Sequence, residues 1–408
     1  MPAILIFGAT YLVLAIGRLP GFRIDRTGAA IIGASFMVGV NALTLDEAYR
    51  AINFDTIILL FGMMIVVANL QLSGFFALVA ERVVERAHSP LVLLVAIVAV
   101  SGAFSAFFVN DTMCLVLTPL VLEITETMRL NPVPYLLAVA MAANVGSVAT
   151  ITGNPQNMMI GSFSGIPYRH FLAVLGPVAI IGLALAVAAV FICYRREFMA
   201  RSEVAVEKRI VRVDRGLMWK SLAIALAMIV MFFVGWPVPK VAIVAGAILL
   251  ITRRVRPERV YRRIDWPLLV MFAGLFIVIA GLEKTPLEMD LGALAGRMHL
   301  DNPYLLSGIT AVLSNLVSNA PAVLVFKPFI FNPGIGQIHD PARAWLVLAM
   351  ASTLAGNLTV VGSVANLIVI QQARRRVKIG FWEYFRVGGP LAVVTIAVGA
   401  AWIAWRGV

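Results

Sequence analysis

Long apolar segments, separated by short polar ones, recur from one end of the chain to the other. Their lengths, about 15 to 25 residues, suit helices that cross ~30 Å of hydrocarbon. In the first half the pattern predicts spanning helices at 3–16, 28–43, 56–70, 133–149 with a continuation at 158–164, and 171–194. In the second half it predicts them at 217–234, 238–251, 266–282, 344–370 with a break, and 387–405. The chain is therefore predicted to be an all-α polytopic membrane protein.

Each half also contains an apolar region that one straight helix does not explain. Residues 91–128 are too long for a single crossing and are interrupted by Asn110 and Asp111. Residues 304–331 repeat this pattern around Asn319. A re-entrant helical hairpin with the polar residues at its tip fits both regions. An interfacial helix is predicted before each hairpin, at 76–87, where Glu and Arg share the segment with apolar residues, and at 287–298.

The two halves repeat each other at a nearly constant spacing. Tyr49, Phe54 and Gly62 are matched 212 positions later by Tyr261, Trp266 and Gly274. Asn110, Pro119, Gly153 and Asn157 are matched 209 positions later by Asn319, Pro328, Gly362 and Asn366. Because each half contains five crossings and a hairpin that returns to its own side, the two repeats are predicted to have inverted topology. The predicted boundaries are 1–194 for the first repeat, 195–216 for a cytoplasmic linker and 217–408 for the second repeat.

Charged residues are few and unevenly placed. They make up 13% of the 408 residues, while 61% are hydrophobic, a balance that excludes an ordinary soluble domain. In the predicted topology 25 of the 33 Lys and Arg fall on one side of the membrane and 7 on the other, with Lys327 inside the second hairpin. By the positive-inside rule, the chain is predicted to lie in the cell inner (plasma) membrane with both termini outside the cytoplasm. The net charge of +12 is then explained by Lys and Arg residues that orient the chain in the membrane and contact anionic lipid. No nucleic-acid partner is expected.

The candidate chemistry lies in four polar islands, one at each hairpin tip and one at each helix break. They comprise Asn110, Asp111 and Thr112; Gly153, Asn154 and Asn157; Ser318 and Asn319; and Gly362, Ser363 and Asn366. Unwound backbone at membrane depth is tolerated where it lines a cavity enclosed by protein. Half-helix N-termini in such a cavity attract an anion or oxyanion, and freed carbonyls and Asn side chains coordinate a cation. The four islands are therefore predicted to meet near the midplane and to bind the substrate.

Asp111 is an acidic residue within a long apolar stretch. An intramembrane carboxylate is costly and by default marks a transport or proton pathway. Ala320 replaces it in the second repeat, so Asp111 is the candidate for proton coupling; the alternative is a helix-end Asp at the headgroup level. For Asn157 and Asn366 the alternative is simple helix capping. Lys327 either pairs with a carboxylate such as Asp111 or extends along the hairpin to the interface.

Other classes of function are disfavoured. No His-Glu-x-x-His metal motif occurs, and Cys114 and Cys193 both lie in apolar runs. Neither a metal site, a cofactor site nor a membrane enzyme is predicted. A passive channel stays open as an alternative, because uniport and coupled transport need the same kind of cavity.

The motifs at the tips and breaks resemble those of the ion transporter superfamily. The resemblance rests on Phe-Val-Asn-Asp at 108–111, Leu-Thr-Pro at 117–119, Leu-Val-Ser-Asn-Ala-Pro-Ala-Val-Leu-Val at 316–325 and Gly-Ser-Val-Ala-Asn-Leu at 362–367, and it covers nearly the whole chain. Within the superfamily these motifs resemble most the arsenite efflux permeases and the related sodium/proton antiporters. The tips differ from the Ser-Asn-Thr type of the dicarboxylate/sodium branch. Residues 152–157, in contrast, resemble the Gly-Thr-Pro-Pro-Asn loop of several anion-carrier branches.

This resemblance implies a secondary transporter that works by alternating access. The expected function is efflux of arsenite or antimonite coupled to protons; the alternatives are a sodium-coupled carrier of an inorganic or carboxylate anion, and a sodium/proton antiporter. Arsenite at neutral pH is the uncharged trihydroxide, whose hydroxyls need both donors and acceptors, and Asn side chains supply both. The expected partners are a small inorganic substrate, a coupling ion and the lipid bilayer. The resemblance also allows a homodimer and a soluble ATPase subunit.

Overall fold

The computed structural model describes residues 2–17, 22, 24–199, 213–285, 299–331 and 338–407, and within them the regular structure is helical, as predicted. The first half forms α1 (Pro2–Ile16), α2 (Arg26–Gly39), α3 (Leu45–Ala51), α4 (Phe54–Leu72), α5 (Phe75–Arg86), α6 (Pro90–Phe107), α7 (Asn110–Thr127), α8 (Pro132–Ser147), α9 (Pro155–Ser164), α10 (Tyr168–Cys193) and α11 (Arg195–Met199). The second half forms α12 (Arg215–Val234), α13 (Val238–Leu250), α14 (Pro257–Tyr261), α15 (Trp266–Glu283), α16 (Pro303–Val317), α17 (Asn319–Phe331), α18 (Pro341–Ala355), α19 (Val364–Ala373) and α20 (Phe381–Arg406). Six of these helices, α4, α6, α10, α12, α15 and α20, are long and apolar enough to cross a membrane.

The predicted spans are confirmed as helices, with ends that differ by a few residues. The largest difference is in α20, which begins at Phe381 and not at 387. Its first turns contain charged residues, so the apolar run from which the helix was predicted starts later than the helix itself. The sequence analysis did not predict the short helix α3, whose seven residues are started by a capping box between Thr44 and Glu47. The predicted interfacial segment 287–298 and most of the linker 195–216 lie outside the described residues.

Five helices around the breaks and hairpins begin in the same way. A side-chain cap is followed by proline at the first helical position, where its missing N–H costs nothing. The capping residues are Ser89 for α6, Asn131 for α8, Asn154 for α9, Asn302 for α16 and Asp340 for α18. The cap and the proline together therefore mark the residue at which each of these helices begins.

The predicted repeat is visible in the helix boundaries of the described residues. Helices α9 and α19 begin and end exactly 209 positions apart, as do the 3₁₀ turns Ile151–Gly153 and Val360–Gly362 that precede them. The hairpin of α6 and α7 corresponds to the hairpin of α16 and α17, and α10 corresponds to α20. The repeat boundaries at 194 and 217 stay a prediction.

Helices of the two halves interlock in two bundles. The scaffold bundle consists of α1, α2, α4, α12, α13 and α15, in which α4 packs on α13 and α2 on α15. The core bundle consists of α6 to α10 and α16 to α20, which contain both hairpins and both breaks. In the scaffold, a Cβ on Gly62 would lie 2.5 Å from the Ala242 carbonyl carbon, and one on Gly274 would lie 2.7 Å from the Ala30 carbonyl oxygen. These two crossings are related by the repeat, and each requires glycine for its close approach.

Ion pairs between the halves agree with the inverted arrangement. Lys284 pairs with Glu47 at 2.5 Å, and Arg376 pairs with Glu126. Each pair joins the first half of the chain to the second. The inverted-repeat fold class is therefore confirmed.

Candidate functional site

Both hairpin tips are short turns buried inside the core bundle. At the first tip α6 ends at Phe107 and α7 begins at Asn110, which is 3% exposed. At the second tip α16 ends at Val317 and α17 begins at Asn319, which is 7% exposed. Ser318 between them has φ 79° and ψ 158°, a conformation found almost only in glycine. Strain of this kind persists only where the surroundings impose it, which is typical of functional sites.

Asn157 and Asn366 brace the two unwound breaks in the same way. Asn157 Nδ2 donates to the carbonyls of Ser147 at 3.0 Å and Thr150 at 2.9 Å. Asn366 Nδ2 donates to the repeat-related carbonyls of Gly356 at 2.6 Å and Thr359 at 3.0 Å. The amide nitrogens are thus occupied by the backbone of the break, and only the amide oxygens remain for another partner.

Glycine is needed in the 3₁₀ turn of each break. A Cβ on Gly153 would lie 2.1 Å from the Ser147 carbonyl oxygen, and one on Gly362 would lie 2.7 Å from Asn315 Oδ1. Gly153 therefore allows the first break to fold closely on the end of α8, and Gly362 allows the second break to lie close to Asn315 of α16. They offer backbone groups, not side chains, to any ligand.

Asn144 is the residue that brings the islands together, and the sequence analysis missed it. Its Nδ2 donates to Asn357 Oδ1 at 2.9 Å and to Asn366 Oδ1 at 3.0 Å. Its Oδ1 accepts from Asn110 Nδ2 at 3.1 Å and from Ser363 Oγ at 3.0 Å. All four of its hydrogen bonds join the end of α8 to the first tip or the second break. The available signal was an amide inside an otherwise apolar span, 133–149.

Thr353 occupies the position that the repeat relates to Asn144. Its Oγ1 accepts from Asn154 Nδ2 at 3.2 Å and from Gln156 Nε2 at 3.1 Å. Asn154 is in turn the repeat counterpart of Ser363, which bonds to Asn144. Each break is therefore held by a polar side chain of the opposite half, in two related contacts.

Asn319 fastens the second tip to its own break. With its amide nitrogen turned towards the break, it donates to Ser314 Oγ at 2.7 Å and to the carbonyls of Gly362 at 3.0 Å and Ser352 at 3.2 Å. The first tip is less fully paired, because Asn110 Oδ1 is buried and has no hydrogen-bond partner among the described residues. The same is true of Asn157 Oδ1 at the first break. Each of these two islands therefore contains a buried amide oxygen that is unsatisfied, as is Asn69 Oδ1 in α4.

Asp111 lies among the breaks, at the beginning of α7, and not at the outer end of a helix. Its carboxylate lies near the backbone N–H of Ala365 at the start of α19, which itself donates to Ser363 Oγ at 3.2 Å. Its side chain and that of Thr112 are half-buried. Lys327 does not reach it, since that ammonium pairs with Glu283 at 3.0 Å. In the described part of the chain the carboxylate of Asp111 has no ion-pair partner.

Two cavities lead from opposite faces towards the islands. A crevice of about 160 Å³ reaches Ser318 and Val364 from the side of Arg26 and Asp265. A larger cavity of about 490 Å³ reaches Ile151 and Met158 from the opposite face; its lining also includes Asp55, Leu59, Tyr168, Arg169, Val238 and Pro239. Leu59, Val238 and Pro239 are the repeat counterparts of Met271, Arg26 and Thr27, which line the crevice. The two openings are thus related by the repeat.

Comparison with known proteins identifies the family. The sequence profile of CitMHS, described as citrate transporter, matches residues 11–351. An uncharacterized transporter of Mycobacterium tuberculosis is 30% identical over 98% of this chain and 97% of its own length. The silicon efflux transporter LSI3 of Oryza sativa subsp. japonica is 29% identical over 96% of this chain and 95% of its own length.

The fold is also found in a solved structure. The YdaH transporter of Alcanivorax borkumensis matches with a TM-score of 0.63 at 13% identity, covering 99% of this chain and 96% of that one, and its crystal structure is described as having an unusual topology. The predicted membership of the ion transporter superfamily is confirmed. The chain belongs to the citrate transporter family of membrane transporters.

Proposed function

We propose that the chain is a secondary transporter that exports a small uncharged metalloid hydroxide, arsenite or antimonite, in exchange for protons by alternating access. The observation that carries this proposal is the chemistry of the meeting point of tips and breaks. The hairpin tips and helix breaks present amide groups, hydroxyl groups and unwound backbone, and Asp111 is the carboxylate among them. The four islands contain no Lys or Arg.

An uncharged hydroxide suits such a place better than a carboxylate anion. As(OH)₃ presents hydroxyls that each donate and accept, and Asn side chains can do both. Citrate carries up to three negative charges at neutral pH, and burying them without cationic side chains would be costly. Silicon, which the rice relative exports, is also an uncharged hydroxide in neutral water, so its chemistry supports the same class of substrate.

Proton coupling follows from the position of Asp111. The carboxylate lies beside the beginning of α19 and has no ion-pair partner in the described residues. A group that binds a proton in one facing state and releases it in the other needs access from both sides. In this proposal the access comes from the two repeat-related openings, the smaller of which reaches Val364 at the start of α19. In this proposal the proton gradient supplies the energy, so no ATPase subunit is required.

A second candidate, sodium-coupled transport, is favoured by the unsatisfied amide oxygens. Asn110 Oδ1 and Asn157 Oδ1 are both buried and have no hydrogen-bond partner in the described part of the chain. Unpaired buried oxygens are costly, and hard cations bind oxygen ligands of this kind. A sodium ion bound at either oxygen would satisfy it.

Flux measurements in everted membrane vesicles separate these candidates. The vesicles receive arsenite, silicic acid or citrate, each with an imposed proton gradient or an imposed sodium gradient. We expect accumulation of arsenite that requires the proton gradient and is unaffected by sodium. Sodium-dependent accumulation would favour the second candidate, and accumulation of citrate alone would contradict the proposed substrate class.

A further inference from the structure

Lys327 joins the core bundle to the scaffold bundle. It lies in α17, eight residues after Asn319, and its Nζ is 3.0 Å from Oε1 of Glu283, the last residue of α15. Both side chains are 28% exposed. The ammonium also lies 5.8 Å from the ring centre of Phe163 in α9. The pair is therefore partly desolvated, which makes its attraction stronger than that of a fully exposed pair.

The first repeat has no charges at the related positions. Thr118 corresponds to Lys327, and Gln71 corresponds to Glu283. Thr118 is buried and donates to the carbonyl of Cys114 in its own helix at 2.6 Å. The second hairpin thus has an ionic contact with the scaffold that the first hairpin lacks at the equivalent place.

A cavity of about 420 Å³ lies beside the pair. Lys327 lines it together with Leu324 of the same helix, Ile279 of α15 and Asn53. Leu324 is one turn before Lys327 and is completely buried. If the pair separates, the seam between α17 and α15 opens and water from this cavity reaches Leu324.

We propose that the ion pair of Lys327 and Glu283 is a positioning contact that holds the second hairpin, and with it Asn319, against the scaffold in the state described here. The inference rests on the alternating-access function proposed above. The pair stabilises the docked state and is absent from any state in which α17 has moved away from α15, so removing it shifts the population towards the separated state. Because the first hairpin has no such pair, the shift is in one direction only.

The test measures how fast a membrane-impermeant maleimide labels Leu324→Cys in the full chain, with the same variants lacking this cysteine as the baseline. Lys327→Met and Glu283→Gln are each expected to raise the labelling rate at least fivefold, because the seam opens more often. The exchanged pair, Lys327→Glu with Glu283→Lys, is expected to return the rate to within twofold of the starting protein. A role of the lysine in packing alone would not produce this rescue.

Lys284 provides the matched control. It follows Glu283 directly and pairs with Glu47 at 2.5 Å, but both of these residues belong to the scaffold side. The hydrogen bond from Lys284 and the bonds with Thr44 lower the pKa of Glu47 to about 2, so this carboxylate stays ionised at physiological pH. Lys284→Met should leave the labelling rate unchanged.

Two results would overturn the proposal: an unchanged labelling rate in Lys327→Met, or an increase that the exchanged pair does not reverse. Labelling needs no substrate. If the protein labels as expected but transports none of the tested substrates, the proposed function fails while the positioning contact stands.

Discussion

Asn144 Nδ2 donates to Asn366 Oδ1 at 3.0 Å, and this bond joins the end of a helix in one repeat to the broken helix of the other. Asn144 Oδ1 at the same time accepts from Asn110 at the first tip. The side chain of Asn144 therefore couples movement of the first tip to movement of the second break. These two bonds join the first tip and the second break in one polar centre.

Replacing Asn144 tests this connection. Asn144→Ala removes four hydrogen bonds and leaves buried amide and hydroxyl groups without partners, at ~1–3 kcal/mol for each group that water cannot reach. We expect transport per folded molecule to fall at least tenfold, with a lower melting temperature. The measurement is substrate flux normalised to the folded fraction.

Asn69→Ala is the control for that variant. Asn69 is another completely buried asparagine in a spanning helix, but within the described residues its Nδ2 bonds only to the carbonyl of Ile65 in its own helix, at 2.9 Å. Its transport should stay within twofold of the starting protein. Wild-type flux in Asn144→Ala, or an equal loss in both variants, would contradict the connecting role.

The two tip asparagines should each matter to substrate binding. Asn110→Ala and Asn319→Ala each remove a polar group from the same centre, so each is expected to weaken substrate binding. The loss of one hydrogen bond is worth on the order of 0.5–1.5 kcal/mol, or ~2- to 12-fold in affinity. Binding is measured by substrate protection against thermal unfolding. If either variant binds as tightly as the starting protein, a single site shared by both tips is wrong.

Scaffold packing should depend on two repeat-related glycines. Gly62→Ala and Gly274→Ala place a Cβ within 2.7 Å of the backbone of the crossing helix. We expect each change to cost ~1–3 kcal/mol of stability by overpacking, seen as a lower melting temperature in detergent. Gly39→Ala is the control, because a Cβ there meets nothing within 4 Å. Equal melting temperatures for all three variants would refute the tight crossings.

The sequence predicted the helices and hairpins well, because apolar runs and glycine or proline breaks are local features. It also predicted that Asn110 and Asn319 lie at the hairpin tips, because paired residues at one spacing stand out; that these residues bind substrate stays a prediction. It missed Asn144 because the repeat was recognised from identical residues at one spacing, and the position related to Asn144 holds Thr353. The contact partner of Lys327 was also beyond sequence analysis, because Glu283 lies 44 positions away and only the packing of α17 on α15 brings them together.

The orientation in the membrane can be tested by labelling. The uneven distribution of Lys and Arg predicts that a cysteine next to Arg375 faces the cytoplasm and one next to Arg343 faces outside. A membrane-impermeant reagent applied to intact cells should therefore label the second position and not the first. Labelling of both positions from the same side would contradict the predicted orientation of the second repeat.

Asp111 is central to the proposed coupling, and its neutral variant isolates that role. Asp111→Asn keeps the shape of the side chain but cannot bind and release a proton. We expect the variant to exchange labelled arsenite for unlabelled arsenite across the vesicle membrane at a rate within a few-fold of the starting protein. Asp55→Asn, which changes an exposed carboxylate at the rim of the larger cavity, is the control and should behave like the starting protein.

The decisive measurement is accumulation of arsenite against its gradient by Asp111→Asn in reconstituted vesicles, driven by a proton gradient and compared with exchange in the same preparation. Proton coupling through Asp111 predicts that exchange persists while accumulation falls to the level of empty vesicles. Accumulation equal to that of the starting protein would show that the proton does not travel on Asp111, and would contradict the proposed mechanism.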